Sequence, residues 1–73
     1  MNKKKLDILN EVLSKAFNKK FNLKLSSKKS NIADWDSLAD VKIILMLEKK
    51  LNFKINVNRF ISSKSIKDIL SIL

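Results

Sequence analysis

Asp34-Trp35-Asp36-Ser37-Leu38-Ala39-Asp40-Val41-Lys42-Ile43-Ile44-Leu45-Met46-Leu47-Glu48-Lys49-Lys50-Leu51 is the stretch on which the fold turns. Asp34 and Asp36 stand just before an apolar run and Asp40 lies in its first turn, where negative charge suits free backbone N–H groups. Lys49 and Lys50 close the run at the end where positive charge is favoured. A helix is therefore expected from near Ser37 to about Leu51, with Ser37 or Asp36 as its N-cap. Val41, Ile43, Ile44, Leu45, Met46 and Leu47 are apolar in nearly unbroken order, so they surround the helix rather than striping it. At about 100° per residue, Ile43, Ile44, Leu47 and Leu51 gather on one side. Leu38, Val41 and Leu45 gather on another, and Glu48 borders both. Either this helix is central to a bundle or one of its faces is left for a partner.

Gly and Pro are absent, so boundaries must be sought in Ser, Asn and Asp clusters. Before the middle helix, Leu6, Leu9, Val12, Leu13, Ala16 and Phe17 recur at spacings of three and four, which predicts a first helix from Lys3 to about Lys20. Asp7 and Glu11 come early in it and Lys15, Lys19 and Lys20 late. Phe21-Asn22-Leu23-Lys24-Leu25 alternates like a strand but has no second strand to pair with, so it reads as a connector. Ser26-Ser27-Lys28-Lys29-Ser30-Asn31 reads as loop, pinned to the core by Ile32 and Trp35. After the middle helix, Phe53-Lys54-Ile55-Asn56-Val57 is loop and a short helical turn is expected around Asn58 to Ile61, with Phe60 inward. Ser65-Ile66-Lys67-Asp68 has the spacing of a capping box and opens a last helix carrying Ile66, Ile69, Leu70 and Leu73. The expected plan is all-α, a single domain over residues 1–73.

Composition bounds the function classes. A domain of 73 residues buries only about 60% of the surface its unfolded chain exposes, so its core is thin. With no Cys and no His there is no disulfide, no customary zinc site, no Cys nucleophile and no His base. Catalysis is not expected. No apolar run approaches the roughly 18 residues that span a bilayer. The basic Met1-Asn2-Lys3-Lys4-Lys5 is followed by Asp7, Asn10 and Glu11 rather than an apolar signal-peptide core, so a cytoplasmic location is expected.

The formal net charge is +9 and the sequence pI near 10.1, values that would suit a nucleic-acid or anionic-surface binder. The lysines are scattered along the chain, however, and Arg59 is the one arginine. Groove readers favour Arg for bidentate base contacts, so specific nucleic-acid recognition is not expected. Abundant Lys, Asn and Ile also follow from AT-rich coding.

Trp35-Asp36-Ser37-Leu38, the apolar helix ending Leu47-Glu48-Lys49-Lys50-Leu51, then Phe53-Lys54-Ile55, Phe60 and Ser65-Ile66-Lys67-Asp68-Ile69 together resemble the acyl carrier protein family. The resemblance runs from about Ile32 to Leu73. It implies a four-helix acyl-carrier-like bundle with a long loop between the first two helices and a short third helix. It further implies 4′-phosphopantetheine, transferred from coenzyme A to Ser37 by a magnesium-dependent phosphopantetheinyl transferase, with cargo held as a thioester. The thiol must be imported, since the chain has no Cys. A phosphodiester at the first residue of a helix sets its charge against free N–H groups and the positive dipole end.

On that reading Asp36 and Leu38 present Ser37 to the transferase. Leu38, Val41, Leu45 and Glu48 form a docking face for acyl- or aminoacyl-loading and transfer enzymes, and the carrier is monomeric. Familiar carriers are strongly acidic, whereas this chain is basic overall. Only residues 31–41, with Asp34, Asp36 and Asp40 and no Lys or Arg, keep the family's sign. Lys42, Lys49 and Lys50 stand where the family often has acids, which favours a dedicated partner set in a peptide-, polyketide- or sugar-modifying pathway. The Trp before Asp-Ser-Leu looks like those specialised free-standing carriers. The competing expectations are a small basic helical module that binds nucleic acid or an acidic protein without a prosthetic group, and an inert homologue that is never loaded.

Overall fold

The computed structural model describes residues 3–73, so Met1 and Asn2 of the basic N-terminal stretch lie outside the described residues. Four helices follow in order: α1 (Lys3–Phe17), α2 (Ser37–Leu51), α3 (Val57–Ser62) and α4 (Ile66–Ser71), with a 3-10 turn at Lys29–Asn31 in the long gap between α1 and α2. Two are long, the later two are short, and the fold is all-α as expected.

α1 turns Leu9, Val12 and Leu13 fully inward, with Leu6, Ala16 and Phe17 packed against that core. It ends at Phe17, earlier than the expected Lys20. The cause is Asn18, whose backbone is left-handed at φ 55, a conformation Asn tolerates better than most residues. The Lys19 N–H then donates back to the Ser14 carbonyl at 3.1 Å. Lys19 and Lys20 thus fall outside the helix, and Lys15 alone is basic in its last turn. Nor does Glu11 serve the N-terminus of α1. Its carboxylate lies 2.6 Å from Lys50 Nζ and 3.5 Å from Lys15 Nζ, tying α1 to the end of α2.

The alternating segment after α1 forms no strand and runs into a turn at residues 25–26. The Asn10 side chain supplies the missing partner. Its Oδ1 accepts from the Leu23 N–H at 2.8 Å and its Nδ2 donates to the Leu23 carbonyl at 3.4 Å. Phe21 and Leu23 are thereby held against the core. The loop beyond is not featureless, because residues 25–29 run beside residues 64–67. Ile66 N–H donates to Ser27 O at 2.8 Å, Lys29 N–H to Lys64 O at 3.0 Å and Lys67 N–H to Leu25 O at 3.1 Å.

α2 buries one face only. Ile43 and Leu47 are fully buried and Ile44 nearly so, whereas Leu38, Val41 and Leu45 face solvent. α3 inserts Phe60 into the centre, and α4 adds Ile66 and Ile69. Asn56 caps α3 by accepting from the Arg59 N–H at 3.0 Å. At α4 both arms of the Ser65–Asp68 capping box are present. Rings chain through the core from Phe21 to Phe17 to Trp35 to Phe60, with centroids 5.6, 5.6 and 6.5 Å apart. No described helix is long and apolar enough to cross a membrane.

Candidate functional site at the start of α2

Asp36 is the N-cap of α2. Its backbone is extended and its Oδ1 accepts from the Ala39 N–H at 2.8 Å, while its carbonyl accepts from the Asp40 N–H at 3.1 Å. Of the two candidates for the cap, Asp36 takes it and Ser37 becomes the first helical residue. Ser37 is exposed, and its hydroxyl has no hydrogen-bond partner among the described residues. The first turn of a helix leaves its N–H groups without intrahelical acceptors. The Ala39 amide is satisfied by the cap, which leaves the Ser37 and Leu38 amides without an intrahelical acceptor next to the hydroxyl.

A strip of apolar side chains continues from that point along α2. Leu38 is 81% exposed, Leu45 60% and Val41 49%, values that set them apart from the buried Ile43 and Leu47, each two positions from Leu45. Spacings of three and four place the three on one face. Glu48, at the edge of this face, is half-buried, and its Oε2 accepts from the Ile55 N–H at 2.8 Å, bracing the loop into α3. On α3, Val57 and Ile61 are also exposed, one turn apart. A shallow depression beside Ser37 is lined by Lys29, Ile32, Trp35, Asp36, Asp40 and Ile61 among others.

The three acids near Ser37 do not form the open acidic surface expected. Asp40 is buried, and its Oδ1 takes the Lys29 ammonium at 3.1 Å and the Trp35 indole N–H at 2.7 Å. Asp34 pairs with Lys19 at 2.7 Å, and Asp36 is turned to the Ala39 amide. Two of the three charges are thus matched by lysines from elsewhere in the chain.

Lys29 was legible only as part of a polar loop. Its Nζ also donates to the Phe60 carbonyl at 2.7 Å and lies 5.3 Å and 4.8 Å from the centres of the Trp35 and Phe60 rings. No local signal marks such a residue, since its partners lie 11 and 31 positions away. Among the described residues no three His, Cys, Asp or Glu side chains gather as a metal site requires.

Compared with known proteins, the chain matches no family model, no curated protein and no solved structure. Fold and site together define a small all-α protein that presents a serine at a helix start, next to an exposed apolar strip.

Proposed function

We propose that this chain is a carrier protein whose Ser37 hydroxyl bears a covalent 4′-phosphopantetheine arm, holding acyl or aminoacyl cargo for the enzymes of a specialised pathway. The observation that carries the reading is the position of Ser37, exposed and hydrogen-bond free as the first residue of α2, with Asp36 already filling the cap. The residues fit such a group. A phosphodiester on the hydroxyl would sit at the positive end of a fifteen-residue helix, near the first-turn amides of Ser37 and Leu38 that have no intrahelical acceptor. When bound, the arm supplies the thiol that a chain without Cys lacks.

Asp36 holds the first turn so that the serine backbone stays fixed while the cargo changes. Leu38, Val41 and Leu45 offer apolar surface to a phosphopantetheinyl transferase and to loading and transfer enzymes, with Glu48 at the margin. The chain does no chemistry of its own, acts as a monomer and works in the cytoplasm. Matching of Asp34 and Asp40 by lysines supports partners other than those that read an acidic second helix.

The test is the intact mass after co-expression with a broad-specificity phosphopantetheinyl transferase. A rise of one phosphopantetheine group is expected, lost in Ser37→Ala with helical circular dichroism retained. A modified Ser37→Ala protein, or unmodified wild type beside a loaded control carrier, overturns the assignment. The second reading, a basic helical module without a prosthetic group, has the net charge of +9 in its favour, and an unchanged mass is its expectation.

A further inference from the structure

Four of the lysines that are scattered in sequence are neighbours in space. The backbone bonds between residues 25–29 and residues 64–67 bring Lys24 and Lys28 beside Lys64 and Lys67, about forty positions away along the chain. Exposure alternates along the first segment, so Leu25, Ser27 and Lys29 turn inward while Lys24 and Lys28 turn out. All four are exposed, and none of their ammonium groups has a hydrogen-bond or ion-pair partner among the described residues. Asp68 is the one acid in the two segments. Its carboxylate accepts from the Lys64 and Ser65 backbone N–H groups at 3.3 Å each, and the Lys67 charge acts on it more weakly. Lys28 and Lys64 flank a depression of about 650 Å³ that also takes in Ser30, Ser65 and Asp68.

We infer that this surface is a docking site for an acidic protein segment, in which carboxylates approach Lys24, Lys28, Lys64 and Lys67. Lysine ammonium groups are compact point charges that suit single carboxylates, whereas phosphate and base recognition favour the forked guanidinium of Arg. Single-stranded nucleic acid needs rings to stack on, and neither segment carries an aromatic residue. A lipid surface needs apolar side chains beside the charge. The exposed large apolar residues are Leu38, Val41, Leu45, Phe53, Val57 and Ile61, all outside these segments. The concave surface carries Lys28, Lys29 and Lys64 against the single acid Asp68, and this excess of positive charge fits a protein protrusion with several Asp or Glu. It stands apart from the carrier reading, because it requires no arm on Ser37.

The experiment is a titration of the full, isotopically labelled chain with a capped octa-glutamate peptide at physiological salt, followed by amide chemical shifts. Saturable shifts centred on residues 24–30 and 63–68 are expected. The double variant Lys28→Gln/Lys64→Gln should weaken binding roughly fivefold or more, as loss of two exposed ion contacts does. Lys49→Gln/Lys54→Gln, with equal charge removed elsewhere, should leave it nearly unchanged, as should Ser37→Ala. Circular dichroism confirms that each variant is folded. Absence of saturable binding, equal weakening by both double variants, or shifts centred elsewhere overturns the inference. So does tighter binding of a short duplex, a single-stranded oligonucleotide or phosphatidylglycerol vesicles under the same conditions. Failure here leaves the mass test of Ser37 untouched, and an unmodified Ser37 leaves this surface standing.

Discussion

Lys29 Nζ lies 3.1 Å from Asp40 Oδ1, with the two side chains 13% and 11% exposed, and this contact joins the α1–α2 loop to the first turn of α2. The same ammonium reaches the Phe60 carbonyl near the end of α3 at 2.7 Å, so a single lysine touches three parts of the fold. The Trp35 indole N–H completes the set by donating to the same Asp40 oxygen. Charges this far from water persist only when matched, and here each has more than one polar partner.

Removing either partner is not equivalent. Lys29→Met leaves the Asp40 carboxylate with the Trp35 N–H as its one side-chain donor, and a stability loss of roughly 3–5 kcal/mol is expected. Asp40→Asn keeps an oxygen for both donors and leaves Lys29 on the Phe60 carbonyl, so its cost should be about 1–2 kcal/mol. Urea denaturation of the two variants measures the difference. A loss below about 1 kcal/mol for Lys29→Met would show that the contact between Lys29 and Asp40 is not what holds the loop.

Ser37 has no structural duty at the helix start, because Asp36 makes the cap. Ser37→Ala should therefore change stability by less than about 0.5 kcal/mol, in the range of ordinary surface substitutions. Asp36→Ala should cost roughly 1 kcal/mol through the lost bond to the Ala39 amide. If thermal unfolding places Ser37→Ala below Asp36→Ala in stability, Ser37 is a structural residue after all.

The two faces of α2 should separate in energy. Leu47 is fully buried, and Leu47→Ala is expected to cost about 2–5 kcal/mol. Leu45 is 60% exposed, so Leu45→Ala should cost well under that; on the carrier function proposed above, it should instead impair transfer of cargo. Chemical denaturation decides the first half. Comparable losses for the two variants would place Leu45 in the core and remove the docking face.

The α4 capping box should be felt as a pH dependence. The Lys64 and Ser65 backbone N–H groups hold the Asp68 carboxyl below its ordinary 3.8. A carboxyl whose folded value is the lower one stabilises the fold fully above the unfolded value, and that contribution fades as pH falls through the folded value. The stability difference between wild type and Asp68→Asn should be widest near neutrality and should narrow below pH about 4. Glu11, lowered chiefly by its bond to Lys50, acts in the same direction, so Glu11→Gln serves as a second probe. A difference for Asp68→Asn that stays constant from neutral to acid pH would remove the capping carboxylate from the account.

Much of the site was legible because its rules are local. α2 runs from Ser37 to Leu51 as its apolar run and flanking charges predict, and Ser65 and Asp68 close the box their spacing allows. Phe60 turns inward from a short helix that begins one residue before the expected turn. The stop of α1 was also written locally, in Asn18, but a polar residue inside a run of good helix formers does not announce a left-handed backbone. Angle separated the two apolar faces of α2, and the family resemblance, not the spacing, assigned Leu38, Val41 and Leu45 to the outside, where the structure has them.

By itself the sequence determined the all-α plan, the middle helix and the cap of the last one, since each depends on residues three or four apart that meet whenever the chain is helical. Only the tertiary structure supplies the reason that face of α2 stays exposed, which is that α1 and α3 pack against the other one. It alone took Asp40 from an apparent acidic surface into the interior with Lys29. It alone gathered Lys24 and Lys28 with Lys64 and Lys67. In each case the partners are distant in sequence, and the free energy that joins them is that of core packing and buried charge matching, which has no local pattern to reveal it.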